Sequence, residues 1–361
     1  MTLHIFNPEH DIALANGMRQ VTPPHAARQL RFDLGFIPAL WANEGDVVLV
    51  DDAQQASYAY KRISQMTAKH LGIKTRKVVF TELDNLKNLA VDDVDPWGWD
   101  YSIYSKIKNS ACRVASMPQI DDIERIMELS HRRTAARLLP MLCSHSGTIG
   151  EAAECSDMAE VLEQIANYNL NVVVKAPWSC SGRGVRFVKG HMDTSTEKWV
   201  NNTLAKQKSV MVEPLYRRVA DFGMEYNSLG NGTAEYLGLS LFSTVNGAYT
   251  GNIIATEARK REIISRHVDL PLLDNINECV CSKAFDSLTG NYTGPFGIDM
   301  MVVSREDGNG FLLHPCVEIN LRRTMGHLAL RFTPTDDDVQ GLMQVVYEGK
   351  FKLRINKGIV L

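Results

Sequence analysis

The sequence lacks the features that mark several specialised classes of protein. None of its apolar runs approaches the roughly 18 residues that a membrane-spanning helix needs, and its N-terminus turns polar too early for a signal peptide. Its 7 cysteines are scattered and form no CxxC pair, so neither a zinc ribbon nor a disulfide framework is supported. We therefore expect a cytoplasmic protein whose cysteines are reduced.

An excess of charge of one sign is also missing. The 361 residues contain 39 Lys and Arg against 42 Asp and Glu, a formal net charge of −3. This balance excludes bulk attraction to nucleic acid or to an anionic membrane, and we expect neither as a partner. A hydrophobic share of 45% and a mean hydropathy of −0.16 are typical of a globular protein. The length predicts two or three domains, and the oligomeric state is left open.

Short apolar strands alternate with helical segments in the first third of the chain. Strands are predicted over 3–6, 46–50 and 77–80, and helices over 24–34 and 56–71. This alternation predicts an α/β domain with a parallel sheet over residues 1–125. No GxGxxG follows the first strand, so a dinucleotide-binding fold is not indicated.

A second unit is predicted over 126–361, where short strands and helices favour an α+β organisation. Two helical segments, 121–130 and 131–140, meet near Ser130. A helix over 158–167 and a β-branched strand over 172–175 follow.

A strand that ends in Lys175 leads into a loop rich in small residues, and a second strand follows over 185–188. Glycines let backbone N–H groups approach an anion and serine hydroxyls add donors, while the lysine adds a point charge for a phosphate. The loop residues concerned are Ser179, Ser181, Gly182 and Gly184. The alternative is an ordinary β-hairpin whose lysine reaches solvent.

Two carboxylates and a carboxamide are expected to meet on a second hairpin. A two-residue turn at Gly308-Asn309 would place Asp299 opposite Glu318, and Asn320 shares a face with Glu318. Such hard oxygen ligands suit Mg²⁺ held jointly with substrate phosphates. Pro315 could introduce a bulge and shift this pairing, and the alternative is an exposed polar sheet face.

Two arginines, Arg322 and Arg323, follow this hairpin directly. A guanidinium beside a metal site is well placed to hold a transferring phosphoryl group or a carboxylate. The alternative for each is a solvated surface cation.

These motifs, in this order between about Ser130 and Gly326, resemble those of the ATP-grasp superfamily. The resemblance implies an N-terminal domain followed by an ATP-grasp fold with a small lobe over about 145–215 and a large lobe over about 216–361. It implies that Lys175 contacts the α-phosphate of ATP and that the loop covers the β- and γ-phosphates. Arg183 belongs to that loop.

The resemblance also implies an adenine pocket and a metal site. Backbone groups of Glu213 and Leu215 would read the base edge, and Asp221 or Glu213 would lie near the ribose. The Mg²⁺ ligands, for which Mn²⁺ is an alternative ion, match Asp299, Glu318 and Asn320, with Glu318 bridging. The arginine of the family's Glu-x-Asn-x-Arg pattern matches Arg322.

One departure concerns a lysine that the family often has on the helix before the phosphate-binding lobe. This chain has Ser-His-Arg-Arg-Thr over 130–134. Arg132 or Arg133 could substitute, although an arginine is not equivalent to a lysine.

The activity that the resemblance implies is an ADP-forming ligation. A carboxylate would be activated as an acylphosphate and attacked by an amine, with amino acids or peptides among the candidate substrates. Catalysis would rest on positioning and on the charges of Lys175 and Arg322. The alternatives are a kinase of the same fold that phosphorylates a small molecule, and a non-catalytic nucleotide-binding protein.

The substrate is expected where the first strand ends, since loops at the carboxyl ends of parallel strands bind ligands. Glu9, His10 and Asp11 could bind an ammonium group or act on it, and Arg323 is a further candidate. The alternative for 9–11 is a capped strand-to-helix turn. The aromatic turn over 97–99 is either a recognition patch or buried between domains, and the charge run over 257–262 is either an anion contact or a solvated helix face.

Overall fold

The computed structural model describes residues 1–18, 20, 22–179, 184–245 and 248–358. The strands are β1 Thr2–Ile5, β2 Val47–Leu49, β3 Val79–Thr81, β4 Ala90–Val91, β5 Asp93–Pro96, β6 Arg113–Val114, β7 Ala153–Cys155, β8 Asn171–Lys175, β9 Val185–Lys189, β10 Val210–Pro214, β11 Arg218–Leu229, β12 Ala234–Val245, β13 Ala248–Ile254, β14 Thr293–Ser304, β15 Phe311–Asn320, β16 Gly341–Tyr347 and β17 Phe351–Lys357.

The α-helices are α1 His10–Ala15, α2 His25–Leu34, α3 Ala53–Leu71, α4 Tyr101–Asn109, α5 Ile120–Leu129, α6 Arg133–Leu142, α7 Met158–Asn167, α8 Thr194–Gln207, α9 Glu257–Ile264, α10 Leu270–Cys281, α11 Asp286–Thr289 and α12 Met325–Leu330. Short 3₁₀ helices cover Ile37–Leu40, Leu83–Asn88 and Lys283–Phe285.

A parallel sheet of order β3-β2-β1-β5 forms the N-terminal part, as predicted. The helix α3 that follows β2 has clear end signals. Its N-cap Asp52 accepts a hydrogen bond from the Gln55 N–H at 2.8 Å, and its C-cap Gly72 has a φ of 69°, a left-handed conformation that costs glycine little. The carboxyl ends of β1 and β5 lie side by side because Ile5 pairs with Pro96.

A four-stranded sheet of order β7-β10-β8-β9 follows, with β10 antiparallel to its neighbours. Its core consists of β-branched side chains from β8 and β10, which pack with α7 and α8. Burying such a face is the main stabilising contribution to a small sheet. The β8–β9 hairpin pairs Lys175 with Val185, so the residues that flank the predicted loop lie at the same end of this sheet.

A seven-stranded antiparallel sheet of order β15-β14-β11-β12-β13-β16-β17 dominates the C-terminal part. The fully buried aromatic side chains Phe222, Tyr226 and Phe296 lie in its core together with residues of α6 and α10. The Tyr226 and Phe296 rings stack with centroids 5.1 Å apart.

The first and last parts of the chain share one hydrophobic core. Phe6 and Val48 from the parallel sheet lie in the same buried cluster as Phe332, Met343 and Ile355 from the C-terminal segment. The parallel sheet is therefore covered on one side by the C-terminal strands.

The β14–β15 pairing confirms one prediction and corrects another. The prediction of a two-residue turn at Gly308-Asn309 is wrong, because Ser304 pairs with Phe311 and the turn covers 305–310. A register shift between Asp299 and Met301, opposite the segment that contains Pro315, compensates for the longer turn. Proline cannot donate to the ladder, which explains an irregularity there. Asp299 consequently does pair with Glu318.

The predicted fold class is confirmed: a parallel α/β sheet is followed by two antiparallel sheets. The domain boundary at 125/126 and the lobe boundaries remain predictions. Within the described residues, no helix is both long and apolar enough to cross a membrane. The six cysteines in this part of the chain are free thiols, and the seventh, Cys180, lies outside it.

Candidate functional site

Lys175 ends β8 in a buried position, 9% exposed, so it is not the solvent-reaching lysine of the alternative interpretation. Its Nζ donates to Glu213 Oε2 on the neighbouring β10 at 2.6 Å. Because a buried ammonium needs a partner, Glu213 holds this charge at the mouth of the hairpin loop.

The two ends of the hairpin loop meet through a main-chain hydrogen bond. The Ala176 N–H donates to the Gly184 carbonyl at 2.8 Å. A Cβ at Gly184 would lie 2.1 Å from Ser179 Cβ, so only glycine fits there. The remaining predicted loop residues, Ser181, Gly182 and Arg183, lie outside the described residues.

Arg132 connects the β8–β9 hairpin to β15, the strand that carries the predicted metal ligands Glu318 and Asn320. Its Nη1 donates to the Ala176 carbonyl at 2.5 Å and to Ser179 Oγ at 2.9 Å, and its Nη2 donates to Glu318 Oε1 at 2.8 Å. Of the two arginines considered for the missing lysine, Arg132 thus occupies the site, whereas Arg133 pairs with Glu154.

The predicted metal ligands lie together on β14 and β15. Asn320 Nδ2 donates to Asp299 Oδ2 at 3.1 Å. Burial, followed by the neighbouring carboxylates of Glu318 and Glu225, raises the pKa of Asp299 to about 8. A carboxyl group crowded by other carboxylates is one that a cation would stabilise, so these oxygen donors fit Mg²⁺.

The protein side chains by themselves provide few ligands for a metal ion. Among the described residues, no three or more His, Cys, Asp and Glu side chains are grouped as a metal site. Two carboxylates and an amide are the kind of partial set that Mg²⁺ uses when phosphates and water complete its shell. The metal role of Asp299, Glu318 and Asn320 therefore stays a prediction that the donor chemistry favours.

Arg322 and Asp11 form a two-pronged ion pair, with Arg322 Nε and Nη2 lying 2.9 and 2.8 Å from the two carboxylate oxygens. Burial raises the pKa of Asp11, but the Arg322 guanidinium and other nearby cationic groups, Arg132 among them, together hold it below its usual value. The pair joins the start of α1 to the segment that follows β15.

Arg323 is also held within the protein. Its Nη2 donates to Asp95 Oδ2 at 2.7 Å, and its guanidinium lies 4.8 Å from the Trp41 ring centroid. Its N–H donates to the Trp97 carbonyl at 2.8 Å. Neither arginine is the solvated surface cation of the alternative interpretation, and the aromatic turn at Trp97 is buried.

The segment 213–215, here called the hinge, is predicted to bind adenine through its backbone, and one of its amides is already hydrogen-bonded. The Leu215 N–H donates to the Asn171 carbonyl at 2.9 Å, so it is not free to donate to a base in this conformation. Asp221, the candidate for the ribose, accepts from Arg218 Nη1 at 2.8 Å. The roles of Glu213, Leu215 and Asp221 toward a nucleotide stay predictions.

Two buried polar side chains near this hinge were missed by the sequence reasoning. Both ring nitrogens of His314 and the hydroxyl of Tyr216 have no hydrogen-bond partner among the described residues, and the two rings pack edge to face with centroids 5.8 Å apart. Burial, followed by the charge of Lys175, lowers the pKa of His314 to about 3. The signal in the sequence was a histidine among the otherwise apolar residues of 311–317.

The segment 257–262 is not simply a solvated face. Lys260 is buried, and its Nζ donates to the Leu239 carbonyl at 2.6 Å and lies 3.0 Å from Glu257. This part of α9 is held against β12.

The loop after β1 places its charged side chains in different surroundings. Glu9 precedes α1, but its side chain does not cap the helix, unlike the alternative of a capped turn. Its carboxylate pairs with Arg31 instead. His10 Nδ1 lies 3.4 Å from Asp100 Oδ2, and both residues are 1% exposed.

One cleft brings several of these groups together. It is lined by residues of α1, of the segment before α6, of the hairpin loop and of the end of β15: His10, Asp11, Leu14, Ser130, Pro177, Trp178, Ser179, Glu318, Ile319, Asn320 and Leu321. The helix α1, the β8–β9 hairpin and the end of β15 thus face a common space, whereas Glu213 and Leu215 are not part of its lining.

Comparisons with solved structures find several enzymes that align with most of this chain at low sequence identity. N5-carboxyaminoimidazole synthetase from Staphylococcus aureus in complex with ADP is 10% identical, with a TM-score of 0.48 over 96% of this chain and 82% of that one. N5-carboxyaminoimidazole ribonucleotide synthetase from Thermus thermophilus is 11% identical, with a TM-score of 0.47 over 96% and 83%. Biotin carboxylase from Campylobacter jejuni is 11% identical, with a TM-score of 0.46 over 95% and 75%. No family model and no curated protein matches the sequence.

Proposed function

We propose that this protein is an ATP- and Mg²⁺-dependent, ADP-forming ligase that activates a small-molecule carboxylate as an acylphosphate for attack by an amine. The observation that carries the proposal is the cleft lined by Ser179 of the β8–β9 hairpin, Glu318 of β15 and Asp11 of α1. Such a cleft can bring a nucleotide phosphate, a metal and a small substrate within reach of one another.

Three cations near the candidate site are each paired with an acid, and two of these acids, Glu318 and Asp11, line the cleft. Lys175 pairs with Glu213, Arg132 with Glu318, and Arg322 with Asp11. In the proposed reaction these cations hold the phosphates and the transferring phosphoryl group, and their charge is already oriented by the acids. Lys175 and Arg322 are the proposed catalytic residues.

Asp299, Glu318 and Asn320 would hold Mg²⁺, with Glu318 bridging. The metal supplies positive charge that offsets the charge of the β- and γ-phosphates. Because Glu318 accepts from Arg132, we propose that this contact is exchanged for the metal when the nucleotide binds.

The carboxylate and the amine are proposed to bind at the Asp11 side of the cleft. Arg322 presents a guanidinium that suits a carboxylate or a phosphoryl group, and Asp11 presents an ionised carboxylate that suits an ammonium group. Amino acids and short peptides, which carry both groups, are the first substrates to test.

The deciding experiment traps the acylphosphate. Purified protein is incubated with Mg-ATP, hydroxylamine and a panel of L-amino acids and dipeptides, and hydroxamate and ADP are measured. ATP-dependent hydroxamate, lost in Glu318→Gln but not in the exposed control Glu306→Gln, supports the proposal. A stable phosphorylated product without hydroxamate would indicate the kinase alternative. ATP-dependent stabilisation in a thermal melt without any turnover would indicate the non-catalytic alternative.

A further inference from the structure

Three polar side chains are buried together beside the cleft. Asn7, His10 and Asp100 are 0%, 1% and 1% exposed. They lie just beyond the carboxyl ends of β1 and β5, where ligands bind in parallel sheets. Burying polar groups lowers stability unless they are well paired, so this cluster calls for a function or a complete set of partners.

The carboxylate of Asp100 is held in place from several directions. Its Oδ1 accepts from the Ile103 N–H at 3.0 Å, as the N-cap of α4, and its Oδ2 accepts from Asn7 Nδ2 at 2.9 Å. Asn7 Nδ2 also donates to the Gly98 carbonyl at 2.8 Å. The carboxylate is therefore rigidly oriented before it meets the imidazole of His10.

The backbone makes room for this imidazole. A Cβ at Gly98 would lie 2.8 Å from His10 Nδ1 and 2.8 Å from Arg322 Cβ. Only glycine at this position lets the imidazole lie against the turn and next to Arg322, which follows β15.

The two ring nitrogens of His10 have different surroundings. Nδ1 lies 3.4 Å from Asp100 Oδ2, a long contact of the kind that shortens when a substrate binds. A carboxylate at Nδ1 keeps the proton there and leaves the lone pair on Nε2. Nε2 has no hydrogen-bond partner in the described part of the chain, and His10 lines the cleft with Asp11, Glu318 and Asn320.

We propose that His10, oriented by Asp100, is the general base that accepts a proton from the attacking amine; this rests on the function proposed above. The substrate ammonium gives one proton to His10 Nε2. The nitrogen lone pair then forms the bond to the acyl carbon while the bond from that carbon to the phosphate oxygen breaks. The second proton leaves with inorganic phosphate, and the product is a neutral amide.

The experiment separates the two half-reactions. Hydroxylamine is uncharged at neutral pH and needs no base to attack an acylphosphate, whereas an alkylammonium substrate does. His10→Ala should therefore form hydroxamate within about twofold of the wild-type rate, while amide formation from the amino-acid panel falls about 100-fold. Added imidazole should restore part of the amide formation, and the exposed His25→Ala should behave as wild type.

Asp100→Asn tests the orienting residue. It should lower amide formation and leave hydroxamate formation, and imidazole should not rescue it because His10 still fills the site. Unchanged amide formation in His10→Ala, or loss of both products without rescue by imidazole, would overturn the inference while wild-type hydroxamate still supported the ligase. If the wild-type protein formed no hydroxamate, the proposed function would fail and the general base with it.

Discussion

The Arg132 guanidinium lies 2.8 Å from the Glu318 carboxylate, between the β8–β9 hairpin and β15. The same side chain donates to Ser179 Oγ and to the Ala176 carbonyl. One arginine therefore ties together three segments that are far apart in the sequence. Its cation lies against an acid predicted to bind a metal, which explains how Glu318 is balanced without one.

Arg132→Met should destabilise the fold and weaken nucleotide binding. The substitution leaves Glu318 and the Ala176 carbonyl without a cationic partner, and we expect the free energy of unfolding to fall by about 2 kcal/mol. Urea unfolding measures the change. Arg125→Met removes an arginine from the exposed Arg125–Asp122 pair and should change stability by less than about 0.5 kcal/mol. Equal effects of the two variants would contradict a structural role for Arg132.

The raised pKa of Asp299 predicts a pH dependence with a definite sign. Because its pKa is about 8 in the folded protein against 3.8 ordinarily, the folded state binds the extra proton between these values. The stability that it contributes is complete below pH 3.8 and is lost as the pH rises to about 8. Thermal melts of Asp299→Asn without Mg²⁺ should show a shallower decline over that range, and a parallel decline in both proteins would count against the shift.

His314 predicts the opposite trend on the acid side. Its pKa is lowered to about 3 from 6.5, so the neutral ring is favoured in the folded state. Its contribution to stability is present above pH 6.5 and is lost as the pH falls toward 3. His314→Leu also removes two unpaired buried nitrogens, and it should be neutral to about 1 kcal/mol stabilising at pH 7. Chemical unfolding at about pH 7 and about pH 5 gives both quantities, and a destabilised variant at neutral pH would argue against this account.

Asp11 and Arg322 should be energetically coupled. A double-mutant cycle with Asp11→Asn and Arg322→Met is expected to give a coupling of about 1–3 kcal/mol, since the pair is two-pronged and mostly buried. The Glu348–Lys352 pair, whose side chains are 44% and 23% exposed, provides the comparison cycle, with an expected coupling of about 0.5 kcal/mol or less. Additive effects at Asp11 and Arg322 would contradict the coupling.

Lys175→Met should remove a phosphate contact. The expected result is a loss of nucleotide affinity of about 10- to 100-fold, because the point charge on the hairpin disappears. Isothermal titration calorimetry with Mg-ATP measures this affinity. The exposed Lys189 on the same hairpin is the control, and Lys189→Met should bind as wild type does. If the two variants bound equally well, Lys175 would not be a phosphate ligand.

The sequence pattern predicted secondary structure well where interactions between residues close in the sequence determine it. The helix over 158–167 was predicted with the bounds observed, since the spacing of apolar side chains acts within a few residues. The Asp299–Glu318 pair was also predicted, but its correctness depended on a longer turn and a register shift that cancel. Hairpin register is set by both, and the sequence showed only the proline.

The chemical groups that are available can be read from the amino-acid sequence: a lysine that ends a buried strand, a small-residue loop, two carboxylates, an amide and two arginines. The partners of these groups, such as Arg132 for Glu318, 186 residues away, and Asp100 for His10, are set by tertiary packing. Pairings of this kind follow from how whole sheets and helices pack, because a buried charge takes whichever opposite charge the fold brings to it. That long-range choice leaves no periodic trace in the sequence.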